Sequence, residues 1–445
     1  MAPIVLAVLA AAFVAAVWLR GRSLVRDGAD LFLGDGWLLQ SQDGVEWTWR
    51  VQLPILLALV VIAWGPPLAA RLGWRPLLLL TPVAAAGWAV ALARVRGRNR
   101  LFEPLLDRHE YLHDVGRVRG WHDYLSTFVD SVSNSSAHPW VTHVSGHPPG
   151  ALGAFVLLDR VGLSGVEWAA TLCIVVGVLA VPAVLVTTRV VVGEGSGGAS
   201  GEDIARAAAP FGVLLPGAIW IATSADAIFT GVSAAGVMLL ALAAARGARP
   251  AGVALALGGG LVLGFSLFLS YGLAVIGLLA VAVVAVRRHE LGVRGMATLL
   301  GAGAVGVVVV VLLFRLGGFW WFDGLSAAGG RVREGTSFAN RPFGYFVFAD
   351  VAAAAFAAGP ALIGSLAGIR ARERRLLWIV APALAAMAIS DLTGLVRGET
   401  ERIWLPFVVW LIPAAATLPP RGRRWWLAAG VALAIAVEVH ISTKW

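Results

Sequence analysis

The sequence predicts an all-α polytopic membrane protein, a bundle of about thirteen transmembrane helices, and three observations carry that expectation. Of 445 residues, 59% are apolar and only 14% charged, whereas soluble globular chains carry about 25% charge. The mean hydropathy is +0.81. Apolar runs such as 51–70 recur at the roughly 20-residue length that crosses a bilayer as a helix, not as the alternating segments of about ten residues that build a barrel. An ordinary soluble protein is excluded, and little chain remains for a large soluble domain.

Taken in order, apolar segments bounded by Arg, Gly and Pro predict helices near 3–19, 53–70, 76–93, 167–187, 205–222, 228–245, 250–268, 271–286, 295–316, 347–369, 376–393, 403–419 and 425–441. No basic residue precedes 3–19, so it reads as a retained helix and not a cleaved leader. The polar interruptions are 21–50, 94–147 and 317–345. The chain therefore divides into N-terminal transmembrane helices over 1–93, a loop region with a juxtamembrane helix over 94–166, and a helix bundle over 167–445.

The formal net charge is +9, and every basic residue except Lys444 is Arg. In a membrane protein such an excess marks cytoplasmic loops and contact with anionic membrane lipids; nucleic acid is not implied. Under strict alternation Arg246/Arg249, Arg287/Arg288/Arg294, Arg370/Arg372/Arg374/Arg375 and Arg421/Arg423/Arg424 share one face, the cytoplasmic one. Asp226, the segment 320–341 and the loop 392–402 then fall on the opposite face. Arg94, Arg96, Arg98 and Arg100 obey the rule only if 148–160 spans. That stretch is too short to cross a bilayer, so it is expected to lie along the surface, leaving 94–147 extracytoplasmic. Cys173 is the sole cysteine, so no intramolecular disulfide forms.

Six of the eight His lie between positions 109 and 147, together with Glu110, Asp114, Asp123 and Asp130. Titratable groups gathered beside a membrane surface suit proton transfer or ligand binding near neutral pH. Residues 109–113, HEYLH, match the helical zinc pattern in which two His one turn apart hold the metal. Position 119 is Arg where the longer metzincin form has a third His, so the zinc metalloprotease reading fails at a ligand and no metal site is assigned.

Glu110-Tyr111 opens the long loop, and HVSGHPPG follows at 143–150. Pro148 and Pro149 fix the entry into the next helix, because proline is favoured where its missing N–H is not needed. This arrangement resembles the membrane glycosyltransferases of the GT-C superfamily, notably the protein O-mannosyltransferase and aminoarabinose-transferase group. Members carry an acidic residue, often followed by Tyr, in the first extracytoplasmic loop and a His-Pro-Pro or Lys-Pro-Pro motif heading a juxtamembrane helix. Residues 216–226, PGAIWIATSAD, look like the second such loop, and 251–271, AGVALALGGGLVLGFSLFLSY, like the Gly-rich helix that comes next.

The resemblance implies a GT-C-like bundle with a juxtamembrane helix in a long extracytoplasmic loop, set in the bacterial plasma membrane. It implies sugar transfer from a polyprenyl-phosphate donor to a hydroxyl of a glycan, lipid or protein acceptor. A carboxylate takes the acceptor proton while cations hold the leaving phosphate. Glu110 is the expected base, with Asp114 second. His143 and His147 are expected at the substrate, as is Asp226 at a helix end. In the loop RGETER at 397–402, Arg397 and Arg402 are candidates for the lipid phosphate, with Arg341 of the same kind, because guanidinium matches phosphate oxygens with a forked donor geometry; Glu399 beside them is expected at the substrate. No organic cofactor is implied; a divalent cation is compatible with the chemistry. A multi-pass transporter or lipid flippase is the rival class, which would place ionisable groups near the midplane and show repeats.

Overall fold

The protein is described from a computed structural model, over residues 1–31, 33, 38–39, 41–43, 45–97, 99–194 and 199–443. Arg98 and Lys444 lie outside the described residues. The described chain is almost wholly helical. A short antiparallel ribbon, Ser41–Asp43 against Ile441–Thr443, is the exception. The architecture is that of an all-α polytopic membrane protein.

All thirteen apolar segments named above contain helix, but among the described residues nine helices are long and apolar enough to span: Ala2–Arg26, Trp49–Arg71, Trp74–Ala93, Val166–Val192, Asp226–Arg246, Pro250–Leu267, Arg288–Leu316, Phe343–Arg372 and Arg374–Leu392. The other four differ for visible reasons. Gly201–Val213 carries Glu202, Asp203 and Arg206 in its first two turns, with Arg206 paired to Glu202 at 2.6 Å, so its start belongs to an interface and not to hydrocarbon. Tyr271–Ala285 begins as 3₁₀ turns, and Leu405–Thr417 contains Pro406 and Pro413 and is buried inside the bundle. Arg423–His440 holds Arg423, Arg424 and Glu438. The helix Pro149–Arg160 has 12 residues, about 18 Å at 1.5 Å per residue, too short to span.

Helices meet closely where glycine permits. A Cβ on Gly260 would lie 1.9 Å from the carbonyl oxygen of Gly303, so Pro250–Leu267 and Arg288–Leu316 touch backbone to backbone. Within Phe343–Ser365, Gly359 at φ +70° breaks the helix just before Pro360. The loop region is a chain of short turns held by aromatic packing: Phe128 stacks on Trp140 at 5.7 Å and meets Tyr124 and Phe319 edge-on. Trp140 donates its indole N–H to the Phe128 carbonyl at 2.9 Å.

Candidate active site

The folded loop brings its two ends together. The His143 amide donates to the His109 carbonyl at 3.0 Å, and the Val141 amide donates to Asp114 Oδ2 at 2.9 Å. Tyr111 is wedged under this junction, with its ring 5.4 Å from Phe155 and 5.9 Å from His147. Glu110, at the mouth of that wedge, is only 2% exposed. Its Oε1 lies 2.7 Å from His143 Nδ1, and its buried Oε2 has no hydrogen-bond partner among the described residues.

Two further segments close on this pair. Asp226 occupies the first turn of Asp226–Arg246, where Ser224 fixes its carboxylate: the Ser224 hydroxyl accepts from the Asp226 amide at 3.1 Å and donates to Oδ2 at 2.7 Å. From the other side comes the loop 393–402. Its Gly398 amide donates to Asp350 Oδ1 at 2.6 Å, and Thr400 donates to the Asp350 carbonyl, which fixes the loop on the Phe343–Ser365 helix. Glu399, at φ +63°, is the one non-glycine residue with positive φ among the described residues. That conformation is costly away from glycine and is held only where the surroundings demand it.

Arg402 ties these parts into one network. Its Nη1 donates to Asp226 Oδ2 at 2.6 Å, its Nη2 pairs with Glu399, and the same Nη2 lies 3.4 Å from His143 Nε2. The tautomer of His143 that satisfies both neighbours carries its proton on Nδ1, donating to Glu110 and turning a lone pair to Arg402. Arg402 is 5% exposed, so these charges act on one another with little screening by water. Burial pushes the Glu399 carboxyl up, but Arg402, then Arg341 and His143, outweigh it and hold it down at about 2. Burial lowers Arg402, and Glu399 and Asp226 more than reverse it, so its pKa is raised.

Beside the network a cavity of about 390 Å³ is lined by His147, Phe229, Tyr271, Ser390, Trp404 and Phe407. His147 stands between cavity and ion pairs: its Nδ1 bonds the His143 carbonyl at 2.8 Å, and its ring lies 5.3 Å from Phe229. Burial depresses it to about 4 against the opposing pull of Asp226, so it is a neutral imidazole at pH 7.

Of the residues singled out in the sequence, Glu110, His143, His147, Asp226, Glu399 and Arg402 converge here. Asp114 does not. Its Oδ1 receives Arg117 at 2.7 Å and its Oδ2 the Val141 amide, so it folds the loop. Arg341 and Arg397 brace the loop from behind. Arg341 donates to the carbonyls of Leu31 and Arg397, while Arg397 donates to those of Gly394, Phe338 and Arg341 and lies 3.7 Å over the Phe338 ring. Glu401 was missed. It is 1% exposed, its Oε2 has no partner among the described residues, and burial, then the nearby Glu399, pushes it up to about 8. Its place in the loop RGETER carries no signal that separates it from Glu399.

The zinc pattern is corrected by the backbone. Glu110 is extended at φ −89° and ψ 161°, and Tyr111–His113 is a 3₁₀ turn, so the two His are not on one face of an α-helix. His109 Nδ1 bonds Thr142 at 2.9 Å, and His113 Nε2 bonds the Leu106 carbonyl at 3.1 Å. Nor do the central carboxylates suit a divalent ion as arranged. Asp226 and Glu399 already hold Arg402, Glu110 holds His143, and among the described residues no group of three or more His, Cys, Asp or Glu is placed to bind a metal.

No protein-family model matches the sequence, and no curated protein matches it. Among solved structures, the chain is similar to the crystal structure of the Archaeoglobus fulgidus oligosaccharyltransferase in complex with Zn and sulfate. The two share 16% identity and a TM-score of 0.44, over 82% of this chain and 53% of that one, so this chain matches about half the length of that protein.

Proposed function

We propose that this protein is a GT-C-type membrane glycosyltransferase that moves a sugar from a polyprenyl-phosphate donor to an acceptor hydroxyl outside the cytoplasm. One observation carries the reading: the unpartnered, buried Oε2 of Glu110, joined through His143 to the Arg402–Asp226 network, in a protein whose mostly apolar cavity is lined at one side by His147. A carboxylate with one oxygen anchored and the other vacant is built to accept a proton from a ligand hydroxyl. In this reaction the acceptor oxygen attacks the anomeric carbon and its proton passes to Glu110 Oε2. The bond from the anomeric carbon to phosphate oxygen breaks with inversion, and polyprenyl phosphate leaves. The cavity, lined by Phe229, Phe407 and Trp404, accommodates the apolar donor chain next to the transferred sugar.

Glu110 is the base, and His143 holds it in place. Asp226, Glu399 and Arg402 shape the floor on which the sugar and phosphate rest. The bacterial plasma membrane and an extracytoplasmic loop 94–147 complete the reading, with glycan, lipid or protein as acceptor. The test is sugar transfer by the purified protein from a polyprenyl-phosphate donor. Glu110→Gln is expected to lower the rate by about 10²–10⁴-fold, and an undiminished rate overturns Glu110 as base. Movement of the lipid across vesicles without any transfer favours the transporter reading instead.

A further inference from the structure

The buried ionic network beside the cavity is organised around a cation that belongs to the chain. Three acidic side chains from three separate segments surround Arg402: Asp226 at 2.6 Å, Glu399 in direct contact, and Glu110 through His143. Glu399 adopts its left-handed backbone conformation immediately before the turn Thr400–Ile403 and meets Arg402 within it. Arg341 lies behind Glu399, while Tyr111 and His147 face the network from the loop side. Phosphate-linked chemistry commonly recruits a divalent ion to gather carboxylates and offset the leaving anion.

We infer that the guanidinium of Arg402 is the built-in counterpart of such an ion: a positioning residue that holds Asp226, Glu399 and His143 in place and leaves no room for a divalent cation. This rests on the reading of the centre as the transfer site only for its catalytic meaning; the binding claim stands on the ion pairs alone. A second cation beside a buried guanidinium meets direct repulsion, and one oxygen each of Asp226 and Glu399 already accepts from Arg402 while Glu110 Oε1 is held by His143. With Arg402 removed, the same carboxylates become unpaired oxygen ligands for a hard cation.

The test is the thermal unfolding midpoint of the purified full chain in detergent, with EDTA, with millimolar Mg²⁺ or Mn²⁺, and with millimolar guanidinium. The wild-type midpoint is expected to be the same under all of these. Arg402→Ala is expected to unfold at lower temperature and to recover part of the loss with Mn²⁺ or guanidinium. That recovery should shrink when Asp226→Asn is added, a response that general loss of packing would not show. A wild-type midpoint lowered by EDTA and restored by Mn²⁺ overturns the inference. So does an Arg402→Ala variant indifferent to every cation. If Arg402→Ala does not fold, Mn²⁺ binding to wild type decides, by the paramagnetic signal of the free ion. No binding supports the inference and stoichiometric binding overturns it. None of these readouts needs sugar transfer, so an inactive protein would defeat the proposed function and leave this inference standing.

Discussion

Partners decide what each acidic residue of the loop does. Glu110 and Asp114 are four positions apart and both nearly unexposed. Asp114 spends both oxygens on Arg117 and Val141, whereas Glu110 keeps one vacant. Asp114→Ala is therefore expected to destabilise the protein by about 2–3 kcal/mol through lost charged hydrogen bonds. The folded fraction should keep its transfer rate, a contrast with Glu110→Gln that a melt and a rate assay on the same samples can read. Titration separates two more residues. The Glu401 carboxyl sits at about 8 when folded against 4.5 when exposed, so the folded state binds the extra proton between those values and stability falls as pH rises from about 4.5 to about 8. His147, at about 4 against 6.5, has the opposite sign: the unfolded state binds the extra proton, and stability falls as pH drops from about 6.5 to about 4. Melting midpoints across pH should show Glu401→Gln flattening the alkaline fall and leaving the acid one.

At the level of elements, the period and length of apolar segments made the long helices legible, because a bilayer-facing helix needs only length and hydrocarbon character. Segments inside the bundle were harder. Leu405–Thr417 is as apolar as a span but short and surrounded by protein, and nothing in its composition distinguishes protein from lipid as its surroundings. The long loop was legible as a place where chemistry gathers, yet its 3₁₀ turns were not, since they depend on contacts such as Trp140 on Phe128 and Arg117 over Trp140 at 4.0 Å. Resemblance to GT-C enzymes placed Glu110 and His147 at the two ends of one long loop and Asp226 in a second, and the pairing through Arg402 appears only when tertiary structure joins them. Close packing gives its own prediction. Gly260→Ala puts a methyl against the Gly303 backbone and must push two helices apart. Overpacking of this kind costs roughly 1–3 kcal/mol or more, and a melting midpoint unchanged by the substitution would contradict the contact.

For the molecule as a whole, sparse charge is sorted by position. The sequence alone expects the arginine clusters at cytoplasmic helix ends, while the buried ionic network lies where three interhelical segments meet. Arg96, one of the residues that fits the charge rule poorly, is not simply a surface charge: it donates to the carbonyls of Glu438 and Val439 and joins the loop start to the last helix. A structural duty of that kind is invisible to a rule that counts charges. Gly120→Cys in the long loop is expected to react with an impermeant thiol reagent added to intact cells. Protection there, with labelling after permeabilisation, would reverse the orientation. The most direct measurement is an experimental structure with a non-transferable polyprenyl-phosphate sugar bound. The expected result is an apolar chain in the cavity beside His147 and Trp404, with the anomeric carbon facing Glu110 Oε2. Donor density elsewhere, with the Glu110–His143–Arg402 network left unvisited, would contradict the assignment of this centre as the site of transfer.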